Sequence, residues 1–293
     1  MGKITVQRRK PSILITGCSS GVGYAAAKAL HARGWLVIAT AREAQDVERL
    51  KREGLNAVQL NLQSSDSIAM AMDWALRLTD GKIDALFNNA FFAIPAALED
   101  LSRTAFAYQL DSCLLGTHEL SLSVLRVMRR QGYGKIINAS SVLAIAPMPY
   151  RGAYIAAKYA LEGLTDVLRL ELHGSGISVS LLEMGTVRSN FRKNSYDNFA
   201  LWINADRSLH KLAYLQMLQR LQSEQYPRSA LSAEQVVKVL IKALNAKNPR
   251  ARYRVGAATK LAALGKRFLS TAMMDKLILR AARIENQHYG QKK

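Results

Sequence analysis

Residues 12–23, SILITGCSSGVG, decide how the rest of the chain is interpreted. A short apolar run leads into Gly17, Gly21 and Gly23, and a segment of helical period comes next. Glycines suit such a turn because the backbone bends sharply there, approaches a ligand closely and presents free N–H groups at the helix start to an anion. The stretch predicts the pyrophosphate-binding turn of a dinucleotide site, with an ordinary strand-to-helix turn as the alternative.

The same alternation of short apolar runs and longer helical segments continues along the chain, as in βαβ units around a parallel sheet. The predicted strands are Ser12–Thr16, Trp35–Thr40, Ala57–Leu60, Ala85–Phe87, Lys135–Ala139, Ser178–Leu182 and Arg252–Val255. The predicted helices are Val22–Arg33, Ala44–Arg52, Ser65–Leu78, Leu115–Arg130 and Tyr154–His173. We therefore predict the α/β class, with a single doubly wound parallel sheet of the Rossmann fold.

Two segments depart from this alternation. Residues 190–230 form an apolar and aromatic insertion, which predicts a helical lid. Residues 257–293 predict a basic, amphipathic, helical C-terminal extension. The dinucleotide-binding and catalytic domain is accordingly predicted to span residues 1–256. The apolar face of the extension is formed by Leu261, Leu264, Phe268, Ala272 and Leu279.

The composition excludes several classes of protein. With 49% hydrophobic and 22% charged residues, the chain is an ordinary globular protein. Cys18 and Cys113 make no disulfide framework, and no residues have metal-ligand spacing, so no metal is predicted. The stretch Met1–Ser12 lacks the apolar segment of a signal peptide, and no run approaches a membrane span. We expect a cytoplasmic protein.

The net charge is strongly positive, at +19, and the last 66 residues contain fifteen basic and three acidic residues. Such a charge attracts phosphate-bearing ligands, anionic membranes or nucleic acid. Nucleic acid is not expected as a partner because the sequence has no RNA- or DNA-binding module. The basic C-terminal helix is compatible with peripheral contact at the inner membrane face, or with docking on the sheet or on another subunit.

The end of the second predicted strand bears on the choice of cofactor. An acidic side chain there binds the ribose 2′-hydroxyl of NAD, whereas an arginine pairs with the 2′-phosphate of NADP. This sequence has Ala41 and then Arg42, followed by Glu43. The order favours NADP over NAD, although Arg42 is also compatible with a solvated surface charge.

Tyr154 and Lys158 have the spacing i, i+4 at the start of a predicted helix, which places both on one face. A phenol is a poor acid at neutral pH, but a neighbouring ammonium stabilises the phenolate and lowers its pKa. Tyr154 is therefore a candidate acid or base for a carbonyl oxygen. Ser140 and Ser141 close the preceding strand.

Together these motifs resemble the short-chain dehydrogenase/reductase family over residues 12–255. The resemblance rests on the glycine turn, on Asn88-Asn89-Ala90 after the fourth strand, on a serine 13 residues before the tyrosine and on Tyr-x-x-x-Lys. Within the family, the chain looks most like a bacterial subgroup akin to retinol and hydroxysteroid dehydrogenases. Assembly as a homodimer or homotetramer through the two longest helices is implied by this resemblance alone.

The resemblance implies a role for each site residue in hydride transfer between a nicotinamide and a carbonyl or carbinol carbon. Tyr154 is the implied acid or base, Lys158 holds the nicotinamide ribose and lowers the tyrosine pKa, and Ser141 orients the substrate oxygen. Asn88 is implied to lie along the cofactor. The implied cofactor-binding set is Thr16, Gly17, Ser19, Ser20, Gly21, Val22, Gly23, Arg42, Asn61, Leu62, Asn89, Ala90, Tyr154, Lys158, Val187 and Ser189.

Four residues depart from the family pattern. Asn61 replaces an aspartate that contacts adenine, and Phe91 replaces the glycine of Asn-Asn-Ala-Gly. Cys113 aligns with the asparagine of the proton relay, and Met184 replaces a proline. These departures leave open a second interpretation, an NADP-binding sensor or scaffold with reduced or lost activity.

The aromatic lid suggests an apolar substrate, such as an aldehyde, a retinoid or a steroid-like compound, because pockets for such ligands are walled by hydrophobic side chains. The alternative is that the lid aromatics only pack onto the body of the protein.

Overall fold

The computed structural model describes residues 9–290, with side chains through Glu285. The predicted extents 1–256 and 257–293 therefore include residues 1–8 and 291–293, which lie outside the described part. Seven parallel strands form one sheet in the order β3-β2-β1-β4-β5-β6-β7. The strands are β1 (Ser12–Ile15), β2 (Leu36–Ala41), β3 (Asn56–Gln59), β4 (Ala85–Asn88), β5 (Gly134–Ser141), β6 (Ile177–Met184) and β7 (Arg252–Val255).

Eleven helices are present in the described residues. They are α1 (Gly21–His31), α2 (Ala44–Arg52), α3 (Ser65–Leu78), α4 (Arg103–Leu110), α5 (Gly116–Gln131), α6 (Gly152–Glu171), α7 (Phe191–Trp202), α8 (Lys211–Gln222), α9 (Ala233–Asn245), α10 (Ala257–Phe268) and α11 (Thr271–Gly290). Both faces of the sheet are covered, and one core contains Ile13 and Ile15 whereas the other contains Leu14. Side chains alternate between the two faces of a strand, so β1 contributes to both cores and is apolar throughout.

The sheet has a switch point beside β1. Residue Ile13 pairs with Val37 of β2 on one side and with Ala85 of β4 on the other. The connections that leave β1 and β4 therefore run in opposite directions along the sheet. A crevice opens at such a point, at the carboxyl ends of the strands, and ligands of open α/β sheets bind there.

The C-terminal extension differs from the prediction of one continuous helix. The backbone is extended at Leu269, with φ −97° and ψ 146°, and Leu269 and Ser270 separate α10 from α11. The second helix turns back, so that Met274 lies next to Gly265. The apolar periodicity continues across the break, which is why it gave no local signal. No helix within residues 9–290 is both long and apolar enough to cross a membrane.

A second difference lies between α4 and α5. A π-helical turn, Asp111–Leu115, joins the two helices without a loop. It carries Cys113, which is buried. Short π turns are rare and arise from one inserted residue, which sequence periodicity does not reveal.

Candidate active site

The glycine turn between β1 and α1 has a backbone that excludes side chains. Gly17 and Gly21 have φ values of +72° and +59°, a region that L-residues seldom adopt. A Cβ on Gly17 would lie 2.9 Å from the Cα of Ala90, and a Cβ on Gly23 would lie 2.2 Å from the Gly17 carbonyl oxygen. Close backbone approach to a pyrophosphate requires this arrangement.

The start of α1 is suited to an anion. Its N-cap residue, Ser20, makes no side-chain hydrogen bond to the first turn, and that turn contains no acidic residue. Thr16 fixes the neighbouring loop, because its Oγ1 accepts hydrogen bonds from the backbone N–H groups of Asn89 and Ala90 at 2.8 and 2.9 Å. Free N–H groups at a helix N-terminus stabilise negative charge, so the residues fit the pyrophosphate of a dinucleotide.

The residues predicted for the adenosine end line the same cleft. The side chain of Arg42 is 59% exposed and pairs with Glu43 at 2.8 Å. The Oδ1 atom of Asn61 accepts a hydrogen bond from the backbone of Gln63, which leaves its amide nitrogen for other contacts. Leu62 supplies an apolar wall.

The whole cleft has a volume of about 660 Å³. It follows the carboxyl ends of the central strands and continues under α7 and α8. Of the predicted set, Gly23 and Lys158 do not line it. The predicted residues that do are Thr16, Gly17, Ser19, Ser20, Gly21, Val22, Arg42, Asn61, Leu62, Asn89, Ala90, Ser141, Tyr154, Val187 and Ser189.

Asn88 does not lie along the cleft, contrary to the expectation. Its side chain is buried, and Nδ2 donates to Ser121 Oγ and to Asn138 Oδ1, both at 2.8 Å. Side chains alternate along a strand, so the last residue of β4 turns into the protein and the next residue, Asn89, lines the cleft. Asn88 therefore joins neighbouring elements.

Cys113 also lies behind the cleft surface. Its Sγ accepts a hydrogen bond from Gln109 Nε2 at 3.0 Å, and Gln109 in turn donates to the carbonyl of Phe92 at 2.9 Å. Burial raises the pKa of the Cys113 thiol, so it stays protonated at neutral pH. The thiol therefore stabilises the loop after β4.

Tyr154 and Ser141 meet in the middle of the cleft. Tyr154 lies in the first turn of α6 and is only 4% exposed, whereas Ser141 is the last residue of β5. The Ser141 side chain lowers the pKa of the Tyr154 phenol, against the larger effect of burial. Ser141 Oγ also accepts from the backbone N–H of Leu143 at 3.1 Å, which holds the hydroxyl in place. The arrangement brings a phenol and an aliphatic hydroxyl, both able to donate a hydrogen bond, to one part of the cleft.

Lys158 lies one turn further along α6 and is buried. Its Nζ donates to the carbonyl of Ala139 at 2.7 Å and lies 5.7 Å from the centre of the Tyr154 ring. Burial lowers the pKa of Lys158 to about 8. Burial also raises the pKa of Tyr154, and the opposing effects of Ser141 and Arg151 are smaller. Burial is thus the largest influence on the Tyr154 pKa, and the lowering of that pKa by Lys158 stays a prediction.

Two phenylalanines enclose these side chains. The Phe91 ring centre lies 4.2 Å from Lys158 Nζ and 6.1 Å from the Tyr154 ring. Phe191, at the start of α7, lies 5.6 Å from the Phe91 ring and 5.7 Å from Tyr154. The sequence marks Phe91 as a departure from the family pattern and Phe191 only as one aromatic residue of the predicted lid, because its contact with Tyr154 depends on how the lid folds back.

The lid divides its aromatic residues between two surroundings. Phe191 and Leu201 line the cleft, whereas Phe199 and Tyr214 pack against each other at 5.0 Å in a small separate core. Some aromatic and apolar side chains of the lid therefore line the cleft, whereas others pack onto the body of the protein; the apolar substrate stays a prediction.

A charged corner that sequence reasoning missed lies at the lid end of the cleft. Arg151, Arg192, Arg220 and Glu285 all line it. These residues come from the start of α6, from α7, from α8 and from α11. No local pattern marks them, since they are far apart in the sequence.

Comparison with known proteins gives consistent matches. A family profile described as short chain dehydrogenase matches residues 11–199. The oxidoreductase YbbO of Escherichia coli K12 is 35% identical over 275 residues, covering 94% of this chain and 96% of that protein. A 3-ketodihydrosphingosine reductase of Bacteroides thetaiotaomicron is 30% identical, covering 90% and 94%. Human retinol dehydrogenase 16 is 30% identical, covering 92% and 88%.

Solved structures share the fold. A short-chain dehydrogenase from Streptomyces avermitilis superimposes with a TM-score of 0.74 at 22% identity, covering 98% of this chain and all of that one. A Burkholderia phymatum protein in complex with NAD gives a TM-score of 0.76 at 24% identity, covering 92% and 95%. A serine dehydrogenase complexed with NADP+ gives 0.71 at 22% identity, covering 85% and 95%. At these identities the likeness establishes the fold alone.

Proposed function

Since this chain belongs to the short-chain dehydrogenase/reductase family of oxidoreductases, which act on CH–OH or C=O groups, we propose that it is an NADP(H)-dependent enzyme for apolar carbonyl and alcohol compounds. The observation that carries the proposal is that Ser141 and the buried Tyr154 line the same cleft as the glycine turn. A proton donor and an orienting hydroxyl beside a dinucleotide site match hydride transfer to a carbonyl.

When bound, the nicotinamide dinucleotide supplies or accepts the hydride. Tyr154 gives a proton to the substrate oxygen during reduction, or takes it during oxidation. Ser141 donates a hydrogen bond to the same oxygen and fixes its distance from the phenol. Phe91 and Phe191 exclude water from the reacting atoms, which strengthens the electrostatic effect of Lys158.

The preference for NADP is supported by Arg42, which lines the cleft after β2 and whose guanidinium suits a 2′-phosphate. We expect NADPH to give at least a tenfold higher kcat/KM than NADH, roughly the value of one charged hydrogen bond. In the Arg42→Ala variant this ratio should fall toward one. Arg52→Ala, an exposed charge outside the cleft, is the matched control. An unchanged ratio in Arg42→Ala would contradict the assignment.

The proposed substrate is an apolar aldehyde, ketone or alcohol, including retinoid or steroid-like compounds. The names of two relatives, a 3-ketodihydrosphingosine reductase and a retinol dehydrogenase, point to long apolar substrates. In this chain the middle of the cleft is walled by Phe92, Tyr108, Leu143, Phe191 and Leu201. Such side chains stabilise an apolar ligand by removing it from water.

NADPH oxidation with a panel of aliphatic and aromatic aldehydes and ketones tests the activity. NADPH fluorescence measures binding in parallel. A sensor or scaffold is the second candidate, favoured by the contact of Phe91 with Lys158, because the ring covers the group implied to hold the nicotinamide ribose. Binding without turnover across the panel would support the sensor.

Two partners are also proposed, a second copy of the chain and a membrane surface. Exposed Leu164, Val167 and Leu170 on α6 support a homo-oligomer in the cytoplasm, to be measured by light scattering.

Exposed Leu264 and Phe268 on α10, in a basic segment, support peripheral contact with anionic lipid. If the fraction of the protein that stays in the supernatant at low salt is the same with and without anionic vesicles, the membrane proposal is wrong.

A further inference from the structure

The loop after β4 holds the lid through a cluster of hydroxyl and carboxylate groups. Asp100 Oδ2 accepts hydrogen bonds from Ser208 Oγ at 2.6 Å and from the Tyr214 hydroxyl. The Tyr214 oxygen in turn accepts a hydrogen bond from the backbone N–H of Ala97 at 3.0 Å. Ser208 and Tyr214 belong to the lid, whereas Ala97 and Asp100 belong to the body of the protein. Asp100, Ser208 and Tyr214, here called the lid latch, therefore join two separate parts of the fold.

The surroundings of the latch strengthen its hydrogen bonds. The Tyr214 side chain is buried, and burial raises the pKa of its phenol to about 12, with Asp100 adding to the rise. The hydrogen bonds from Ser208 and Tyr214 lower the pKa of Asp100, so its carboxylate is ionised at neutral pH. A hydrogen bond from a hydroxyl to an ionised carboxylate is stronger than one between neutral groups, and burial reduces competition from water.

Tyr214 connects the latch to the wall of the cleft. Its ring packs edge-on against Phe199 of α7, with the ring centres 5.0 Å apart. The same helix presents Phe191 and Leu201 to the cleft. Helix α7 therefore has one face against Tyr214 and another toward the ligand. A shift of α8 away from Asp100 would consequently change the width of the cleft.

The loop that carries Asp100 also touches the start of α6. Leu98 lies so close to Gly152 that a Cβ there would meet Leu98 Cδ2 at 2.2 Å. Tyr150, just before this helix, has a φ of +63°, and its ring lies 6.0 Å from the Tyr214 ring. A tyrosine keeps such a left-handed backbone only where surrounding contacts hold it. The latch therefore borders the helix whose first turn contains Tyr154.

We propose that Asp100 and Tyr214 are positioning residues that determine which apolar substrates the cleft accepts. By fixing α8, and through it α7, the latch holds the lid wall of the cleft close enough to remove a long apolar chain from water. A short substrate, which ends near Tyr154, does not need this wall. The inference rests on the proposed function, because it takes an apolar carbonyl compound as the ligand and Tyr154 as the point of reaction.

Aldehydes of two chain lengths test the latch. In the wild type the KM of dodecanal should lie below that of hexanal, because the longer chain buries more apolar surface. In Tyr214→Phe, which keeps the ring and loses the hydroxyl, the KM of dodecanal should rise roughly fivefold, about the value of one hydrogen bond. The KM of hexanal and both kcat values should change little. Asp100→Ala should act in the same way, and Asp100→Asn, which keeps an acceptor, should restore part of the wild-type KM.

Hydrogen exchange of the lid, followed by mass spectrometry, measures the latch without turnover. In Asp100→Ala, peptides from α7 and α8 should exchange roughly fivefold faster, because local opening loses a hydrogen-bonded anchor. Peptides from β5 and α1 should keep their wild-type exchange, which excludes general unfolding. Asp206→Asn is the matched control, because this exposed lid carboxylate pairs with Lys211 inside the lid at 2.7 Å. It should leave lid exchange and both KM values unchanged.

The outcomes separate this inference from the proposed function. If Asp100→Ala leaves either the lid exchange or the KM ratio of the two aldehydes unchanged, the latch is overturned while the reductase stands. Tyr214→Phe decides by the same measurements where Asp100→Ala does not fold.

If the wild type reduces neither aldehyde, the proposed activity fails. The affinities for hexanol and dodecanol, measured by calorimetry, then replace the two KM values. A selective loss of dodecanol affinity in Asp100→Ala supports the latch, and an unchanged ratio of the two affinities overturns it as well.

Discussion

The two ends of the cleft are built in different ways. At the nucleotide end, backbone conformation makes the site, through positive φ angles at Gly17 and Gly21 and through the missing side chains of Gly17 and Gly23. At the catalytic end, side chains make the site, and Phe91 and Phe191 fill the space around Tyr154. Ligand binding at the nucleotide end should therefore change when side-chain atoms are added, and the catalytic end should change when side-chain atoms are removed. A motif in the sequence therefore specifies the nucleotide end more fully than the catalytic end.

Replacing the phenol hydroxyl should have the largest effect. We expect Tyr154→Phe to lower kcat roughly 10³-fold, within the usual range for loss of a general acid. NADPH binding should change little, because the ring remains between Phe91 and Phe191. Steady-state kinetics and NADPH fluorescence measure the two effects. Tyr159→Phe, on the exposed side of the same helix, is the control. Unchanged kcat in Tyr154→Phe would refute the assignment of the acid.

Because Lys158 is buried, we expect it to change how the free energy of unfolding depends on pH. Its folded pKa of about 8 lies below the ordinary 10.5, so the unfolded chain binds more protons between these values and the wild type gains stability as pH rises through them. Below pH 8 the buried Lys158 ammonium lowers the free energy of unfolding by about 3 kcal/mol, at about 1.4 kcal/mol per pKa unit. Lys158→Met loses about 1 kcal/mol with the hydrogen bond to Ala139, and should still be about 2 kcal/mol more stable at pH 7.

The measurement is denaturant unfolding of both proteins at pH 7 and pH 9.5. The advantage of Lys158→Met should shrink at the higher pH. Burial raises the pKa of Tyr154, so ionisation of this phenol in the unfolded chain lowers the free energy of unfolding only above about pH 10. This effect is the same in both proteins. Lys238→Met, on the exposed face of α9, should show no such trend. A constant difference at both pH values would mean that the Lys158 ammonium is not destabilised.

One added methyl group should damage the nucleotide end. In Gly23→Ala the new Cβ meets the Gly17 carbonyl oxygen at 2.2 Å, so the turn must shift. We expect roughly tenfold weaker NADPH binding and about 1–3 kcal/mol lower stability. Gly163→Ala is the matched control, because its Cβ meets nothing within 4 Å and alanine favours a helix. Equal NADPH affinity in both variants would argue against a backbone-determined phosphate site.

Removing the Phe91 ring should strengthen NADPH binding, by a smaller factor than Gly23→Ala weakens it. Phe91→Ala exposes Lys158 to the cleft and removes a cation–π contact of about 1 kcal/mol that competes with the ligand. NADPH affinity should therefore rise roughly fivefold. Phe91→Leu, which keeps apolar volume without the π face, separates the steric effect from the electrostatic one. Weaker binding in Phe91→Ala would show that the ring supports the cofactor.

Much of the fold follows from local patterns. The seven strands were predicted within two residues at each end, and Ala44–Arg52, Ser65–Leu78 and Arg252–Val255 agree with the structure at both ends. Buried parallel strands and amphipathic helices have strong local periodicity, so they are recognisable without knowledge of their neighbours. The π turn and the break at Leu269 depend on packing and leave no such signal.

The site was predicted less completely. The glycine turn, Ser141 and Tyr154 lie together in the cleft, in agreement with their spacing. Asn88 was misplaced because its side-chain direction depends on where β4 ends. Glu285 was missed because its partner, Arg151, lies 134 residues away. Contacts of that kind are determined by the tertiary structure rather than by the local sequence.

That sequence separation has a consequence for the order of assembly during synthesis. The glycine turn closes against Asn89 and Ala90, so these contacts of the turn need only about the first third of the chain. The corner around Arg151 needs Glu285, which the ribosome adds long after β1 and β4 have emerged. A nascent chain would thus complete its glycine turn early and its catalytic pocket late.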